Sequence, residues 1–505
     1  MKKTALYISF FTLLSQIIGF FRDIILSYYF GASQVTDAYI IALTFPGIIF
    51  TFIGTGIATN FIPMYTKIAG EEGTERADRF TNNMTAAIMI ALSAIVLLCM
   101  VFTAPLVRLL ALGFDESTLR LAVLYTRISL LGIFISVMIH VFSGYLQIKG
   151  RFFAPAVMGI PFHIVAILSI IAARIWGDVF LPAGIVAALV IQAAFLLYFV
   201  NKAGFRFKAV LNLKDKHLRN LLFLSVPVII SVSVNEVNVI VDKTIASGIS
   251  VGGISALKYS GHLTVFINTL FVMPLVTVLY PKISELAVSL RTDDLKKHVA
   301  ECVTLINLIV IPATFGLILF SEPIIRLLYG RGAFGVESIA LTSGALAFYS
   351  VGMAGIAYRE ILSRVFYSYQ DTKTPMINSG ISVLLNIALI LILSPFMGIN
   401  GLALATSISA IVCAVLLHLN LRKKIGSFGF TRICISLLKT LAASVIMTGT
   451  SYISYKYLTG YLRGNVSLIT AISIGIFVYA LLIYVLKFKE IEPLKRAVIS
   501  KLFSK

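Results

Sequence analysis

Charge is scarce in this chain. Asp, Glu, Lys and Arg make up only 13% of its 505 residues, where a soluble domain carries about 25%. Acid is scarcer still, with 22 Asp and Glu against 42 Lys and Arg. The four cysteines (Cys99, Cys302, Cys413 and Cys434) sit in apolar runs without C-x-x-C spacing. They read as buried small hydrophobes, which excludes a disulfide framework and a cysteine metal site. There is no G-x-x-x-x-G-K-[ST] stretch, so nucleotide hydrolysis through that loop is excluded. His140, His163, His217, His298 and His418 show no metal-ligand spacing, and no Ser/His/Asp or Cys/His set is apparent. The chain is not expected to be an enzyme.

What is abundant is apolar. Hydrophobic residues make up 59% of the chain, and the mean hydropathy is +0.96. A soluble fold cannot hide that much apolar surface, and the long unbroken runs exclude a barrel, whose strands alternate. The fold class expected is an all-α polytopic membrane protein. A span takes about 20 apolar residues. Segments without Lys, Arg, Asp or Glu fall at 4–21, 38–66, 80–107, 128–148, 152–173, 179–201, 259–281, 302–321, 338–358 and 464–486. The block 374–421 is too long for one helix, and Pro395, Gly398 and Gly401 split it in two. With the more polar segments 218–247 and 431–455, fourteen transmembrane helices are expected. Lys2-Lys3 ahead of an apolar run resembles a signal peptide, but no small-x-small site follows, so an uncleaved first span is expected.

Fourteen spans place both termini on one side. The loops on that side hold two thirds of the 42 Lys and Arg, including clusters at 202–219, 282–297 and 487–505. The opposite loops hold about a quarter as many, so both termini are expected in the cytoplasm of a bacterial inner membrane. The net charge of +20 then marks cytoplasmic loops, and no nucleic-acid partner is expected.

An internal repeat runs through the chain. Pro105-Leu106-Val107-Arg108-Leu109-Leu110 returns as Pro323-Ile324-Ile325-Arg326-Leu327-Leu328. Pro63-Met64-Tyr65-Thr66-Lys67-Ile68 is echoed by Tyr280-Pro281-Lys282-Ile283, Gly144-Tyr145-Leu146-Gln147 by Tyr367-Ser368-Tyr369-Gln370, and Gly184-Ile185-Val186-Ala187-Ala188 by Gly401-Leu402-Ala403-Leu404-Ala405. The four echoes recur in order at similar spacings, 218 residues for the first two, 217 for the last and a few more for the third. Six helices per copy predict two six-helix lobes related by pseudo-two-fold symmetry, as in rocking transporters, plus two extra C-terminal helices. The expected divisions are 1–203 for the first lobe, 204–217 for a cytoplasmic linker, 218–424 for the second lobe, and 425–505 for spans 13 and 14 with a basic tail.

A few charges fall inside spans, where each costs at least ~2.5–3.5 kcal/mol without a partner or a wet cavity. Arg22 and Asp23 lie in the first span, and Asp37 opens the second, where Thr36 is a candidate cap. Arginine presents a planar fork suited to a diphosphate. A structural Arg–Asp pair is the other reading. Lys258 and His262 share a face of span 8. Arg359 and Arg364 flank a turn of span 10 beside Glu360 and form a second candidate phosphate clamp. Asp242, next to Lys243 in span 7, joins Asn386 and Thr406 as a candidate oxygen set for a coupling cation, sodium or a proton. The alternative is an Asp242–Lys243 pair. No other cofactor is expected.

Several motifs carry a resemblance. They are Gly19-Phe20-x-Arg22-Asp23, Phe30-Gly31-Ala32-Ser33, Thr36-Asp37-Ala38-Tyr39, Phe61-Ile62-Pro63, and Gln370-Asp371-x-Lys373-Thr374-Pro375. Together they resemble the MurJ/MviN family of the multidrug/oligosaccharidyl-lipid/polysaccharide exporter superfamily, over almost the whole chain. The resemblance implies a flippase that carries an undecaprenyl-diphosphate-linked glycan precursor, lipid II, to the outer leaflet by alternating access. It also implies an arginine-rich cavity for the headgroup and a groove near spans 13 and 14 for the lipid tail. Arg22, Asp23 and Asp37 match the family pattern. Gln16, Phe50 and His262 stand at or near positions where the family commonly has arginine. Two alternatives stay open: a flippase for another polyprenyl-linked glycan, such as a capsule, exopolysaccharide or teichoic-acid precursor, or a cation-coupled drug exporter. A monomer is expected, in contact with membrane lipids and with the cell-wall synthesis machinery.

Overall fold

The computed structural model describes residues 2–208, 210–486 and 488. The basic tail expected over 487–505 lies outside them, apart from Phe488. Among the described residues there are helices and no strands.

Eleven α-helices come before residue 250. They are α1 (Lys2–Phe30), α2 (Gln34–Gly56), α3 (Ile62–Glu71), α4 (Thr74–Val101), α5 (Thr103–Leu110), α6 (Glu116–Leu130), α7 (Gly132–Ile148), α8 (Phe153–Val157), α9 (Gly159–Trp176), α10 (Phe180–Lys202) and α11 (Lys216–Ile249). Ten follow: α12 (Gly253–Ile267), α13 (Met273–Val288), α14 (Thr292–Leu319), α15 (Ser321–Leu328), α16 (Val336–Val351), α17 (Met353–Ser368), α18 (Lys373–Met397), α19 (Ile399–Ile425), α20 (Phe430–Leu458) and α21 (Gly464–Val485). Among the described residues twelve runs are long and apolar enough to cross a membrane, and fourteen if each of two bent pairs counts as one span. Those pairs bend by 43° between Ile230 and Val232 and by 42° between Val351 and Met353. The block 374–421 does divide, at Gly398, whose φ of 57° ends α18.

The repeat reappears in the helices. A 28-residue α4 leads into the short α5, and a 28-residue α14 leads into the short α15. Both Pro-x-x-Arg-Leu-Leu motifs lie in the short helix. A wide π-helical turn at Ile57–Phe61 joins α2 to α3, and another at Asn268–Val272 joins α12 to α13. Each is followed by a proline, Pro63 and Pro274, at the start of the next helix. Proline has no N–H for the carbonyl four residues back, and the wider turn absorbs the mismatch.

By compactness the chain forms two units, one of residues 1–255 with 331–338 and one of 256–330 with 339–505. The first unit runs through α11 and ends at Ser255. Specific contacts bind α11 into the first unit. Thr244 Oγ1 donates to the carbonyls of Leu109 and Leu110 at 3.2 Å each, and Gly113 N donates to Ser247 Oγ at 3.1 Å. A Cβ on Gly113 would lie 2.2 Å from Gly248 Cα, so only glycine allows this approach. Segment 331–338 joins the same unit, where Ala333 N donates to Tyr28 O in the last turn of α1 at 2.8 Å.

Candidate functional site

The polar groups of the first unit cluster on α1, α2 and α11. α1 continues to Phe30, past the apolar run 4–21, so Arg22 and Asp23 lie well inside a helix. Arg22 Nη2 is 2.9 Å from Asp23 Oδ1, with the carboxylate side chain 1% exposed and the arginine 18% exposed. The buried acid thus anchors a guanidinium that keeps an accessible edge. Opposite this turn, α9 comes so close that a Cβ on Gly19 would lie 3.0 Å from the His163 ring.

Asp37 has a different neighbourhood. Gly31, with φ of 64°, ends α1, and Ser33 starts α2 by accepting from Thr36 N at 3.4 Å. The cap is therefore Ser33. Thr36 turns its hydroxyl back to donate to Gly31 O at 2.9 Å. This leaves the Asp37 carboxylate, almost fully buried, for the start of α12. It accepts from Gly252 N and Ser255 N at 2.8 Å each, and from Ser255 Oγ. A carboxylate on the first N–H groups of a helix satisfies donors that have no intrahelical partner.

On α11, Lys243 Nζ donates to Thr44 Oγ1 of α2 at 2.7 Å. Asp242 Oδ1 is buried without a hydrogen-bond partner among the described residues. Phe50, one of the departures from the expected arginines, sits ring to ring with His140 at 4.3 Å. His140 in turn packs so tightly on α2 that a Cβ on Gly54 would lie 2.4 Å from it. Neither His140 nor His163 was given a role from sequence. A lone histidine in an apolar run has no spacing signal, and only the facing glycine reveals its place.

In the second unit, Lys258 and His262 are half-buried on α12. Arg359 on α17 is 3.7 Å from Glu360, and Arg364 lies over the Tyr280 ring of α13 at 5.6 Å. Asn386 on α18 is buried, and Thr406 on α19 donates to Leu402 O at 3.1 Å. Among the described residues no group of three His, Cys, Asp or Glu side chains is placed to hold a metal. An apolar cavity of about 410 Å³ lies between α14, α20 and α21, with Phe271, Pro312, Phe320, Met447 and Tyr479 in its lining.

The model of the lipid II flippase MurJ family matches residues 26–472. The chain belongs to that family. Among similar MurJ relatives, the probable lipid II flippase MurJ of Thermotoga maritima is 29% identical over 496 residues, covering 98% of each chain. The Vibrio cholerae counterpart is 26% identical over 466 residues, covering 88% of each. A solved lipid II flippase MurJ in an inward closed conformation superposes with a TM-score of 0.83 at 26% identity, over 95% of this chain and 98% of that one. A multidrug-resistance transporter of the MATE family shares the fold, with a TM-score of 0.69 at 16% identity over 82% of this chain and 95% of that one. The family match spans the sites on α2, α11, α12 and α17 and begins just after Arg22 and Asp23.

Proposed function

We propose that this protein translocates lipid II across the inner membrane by alternating access. The observation that carries the reading is the Arg22–Asp23 pair within a chain of the MurJ family. A buried carboxylate fixes a part-exposed guanidinium inside a membrane helix, and a fixed planar donor set suits a diphosphate. The second unit has half-buried cations of its own on α12 and α17 (Lys258, Arg359 and Arg364). The apolar cavity beside α20 and α21 has room for part of a polyprenyl tail. The protein acts as a transporter without covalent chemistry. Differential binding of the headgroup by two conformations is what moves the equilibrium between them.

Asp242 is the candidate for cation coupling, since its Oδ1 lacks a hydrogen-bond partner among the described residues. Sodium or a proton would meet the need of such an oxygen. The excess of Lys and Arg in one set of loops supports a cytoplasmic position for both termini.

Complementation of cells depleted of their own lipid II flippase tests the proposal. Wild type should restore growth and shape, and Arg22→Ala should not, at equal membrane levels. Failure of a well-expressed wild type overturns the lipid II assignment. Rescue by both overturns the role of Arg22.

A further inference from the structure

The segment between α10 and α11 is tied down by two neighbouring side chains. Asn82 and Asn83 of α4 are 3% and 1% exposed. Asn82 Nδ2 donates to Arg206 O at 3.2 Å, and its Oδ1 accepts from Lys208 N at 3.1 Å. Asn83 Nδ2 donates to Asn212 O at 2.9 Å, and its Oδ1 accepts from Asn212 N at 2.6 Å. Each amide pairs with the segment's backbone much as a neighbouring strand would. Both ends are fixed as well. Phe205 is buried with its ring 4.8 Å from Tyr145, and Asp215 takes Arg76 at 2.6 Å.

A segment held this firmly would be expected to fold its apolar side chains inward. Instead Phe207, Leu211 and Leu213 are 50%, 50% and 62% exposed. Arg206, Lys208 and Lys214 alternate with them and are exposed too. The nearby loop 149–153 repeats the pattern. Lys149 lies over the Tyr145 ring at 5.3 Å, and Phe153 is 6.5 Å from Phe199 of α10. Neither 149–153 nor 202–214 contains an acid. The acids at the edge of the patch are engaged, Asp215 by Arg76 and Glu72 by Lys216 and His217.

We infer that this face binds anionic phospholipid. Interleaved large apolar and basic side chains on an acid-free surface at the ends of membrane helices match a leaflet of anionic headgroups. Phe207, Leu211 and Leu213 enter the acyl boundary, and Arg206, Lys208 and Lys214 meet the phosphates. Asn82 and Asn83 hold the backbone at Arg206, Lys208 and Asn212, so that both sets are presented together. The inference rests on neither the substrate nor the orientation proposed above.

The test uses the full chain in nanodiscs of phosphatidylcholine alone or with phosphatidylglycerol, the same in both leaflets. Two quantities are read: hydrogen exchange of peptides within 204–214, and the phosphatidylglycerol-to-phosphatidylcholine ratio of retained lipids. Phosphatidylglycerol should slow exchange in this segment and be enriched. Each charge removed in the series Arg206→Ser, Lys208→Ser and Lys214→Ser should cut the preference about 5-fold at low salt. Asn82→Ala with Asn83→Ala should speed exchange in both lipids and erase the difference between them. Equal exchange in the two lipids, or a preference untouched by the three serine substitutions, overturns the inference. These positions are exposed, and an unchanged Tm confirms that the variants remain folded.

Discussion

Asp37 and Ser255 are 218 residues apart, the spacing of the internal repeat, and they hydrogen-bond each other. Each stands near the start of the second long helix of its own copy. The carboxylate at one position caps the helix that begins with the other.

Asp37→Ala should destabilise the protein strongly. It leaves the N–H groups of Gly252 and Ser255 buried without their acceptor, at about 1–3 kcal/mol each. Ser255→Ala removes only one hydroxyl and should cost less. Thermal unfolding of the two single variants and the double variant should show a coupling of about 0.5–3 kcal/mol. Strict additivity would argue that the Ser255 hydroxyl bond contributes nothing.

Loss of Arg22 mixes two effects that a third variant separates. Arg22→Ala takes the guanidinium from a carboxylate that is 1% exposed, which costs about 3–5 kcal/mol for a buried pair. Arg22→Ala with Asp23→Ala should recover most of the stability without recovering lipid II transport. Recovery of both would make the pair purely structural.

Two glycines define how closely α1 and α2 are approached. Gly54→Ala drives a Cβ to 2.4 Å from His140, and Gly19→Ala drives one to 3.0 Å from His163. Overpacking of this kind costs about 1–3 kcal/mol, and Gly54→Ala should be the worse of the two. Adding His140→Ala to Gly54→Ala should give a protein more stable than the sum of the single changes. Tm in detergent reads both comparisons.

At the start of α11, burial would raise the Asp215 carboxyl. The Arg76 guanidinium and the N–H groups of His217 and Leu218 outweigh it and hold the carboxyl below its usual range. A lowered folded-state pKa means stability that is present above the unfolded value of about 3.9 and lost as pH falls through the lower folded value. Asp215→Asn should therefore cost about 1–3 kcal/mol at neutral pH. The gap to wild type should close below about pH 4. A gap that stays constant down to pH 3 would contradict the role of the ion pair.

Much of the architecture was legible because a bilayer imposes simple rules. Unbroken apolar runs gave the spans, and Gly398 marked the break within 374–421. The short helices after α4 and α14 follow the paired Pro-x-x-Arg-Leu-Leu motifs. Arg22, Asp23 and Asp37 stood out because charge in an apolar run is conspicuous. What those charges touch was not legible. Thr36 was the cap expected for α2, and the structure places Ser33 there instead. Nothing local linked Asp37 to Gly252, Lys243 to Thr44, or Phe50 to His140, because each pair is joined by packing between helices distant in sequence.

The sequence alone determined that this is a helical membrane protein with an internal repeat, and the MurJ motifs in it. Those properties follow from hydropathy, spacing and residue identity, which need no partner. The tertiary structure decided which charges pair, which glycines admit a histidine, and that two asparagines of α4 hold the segment before α11. These depend on which backbone approaches which, and that is set only when helices far apart in the chain pack together.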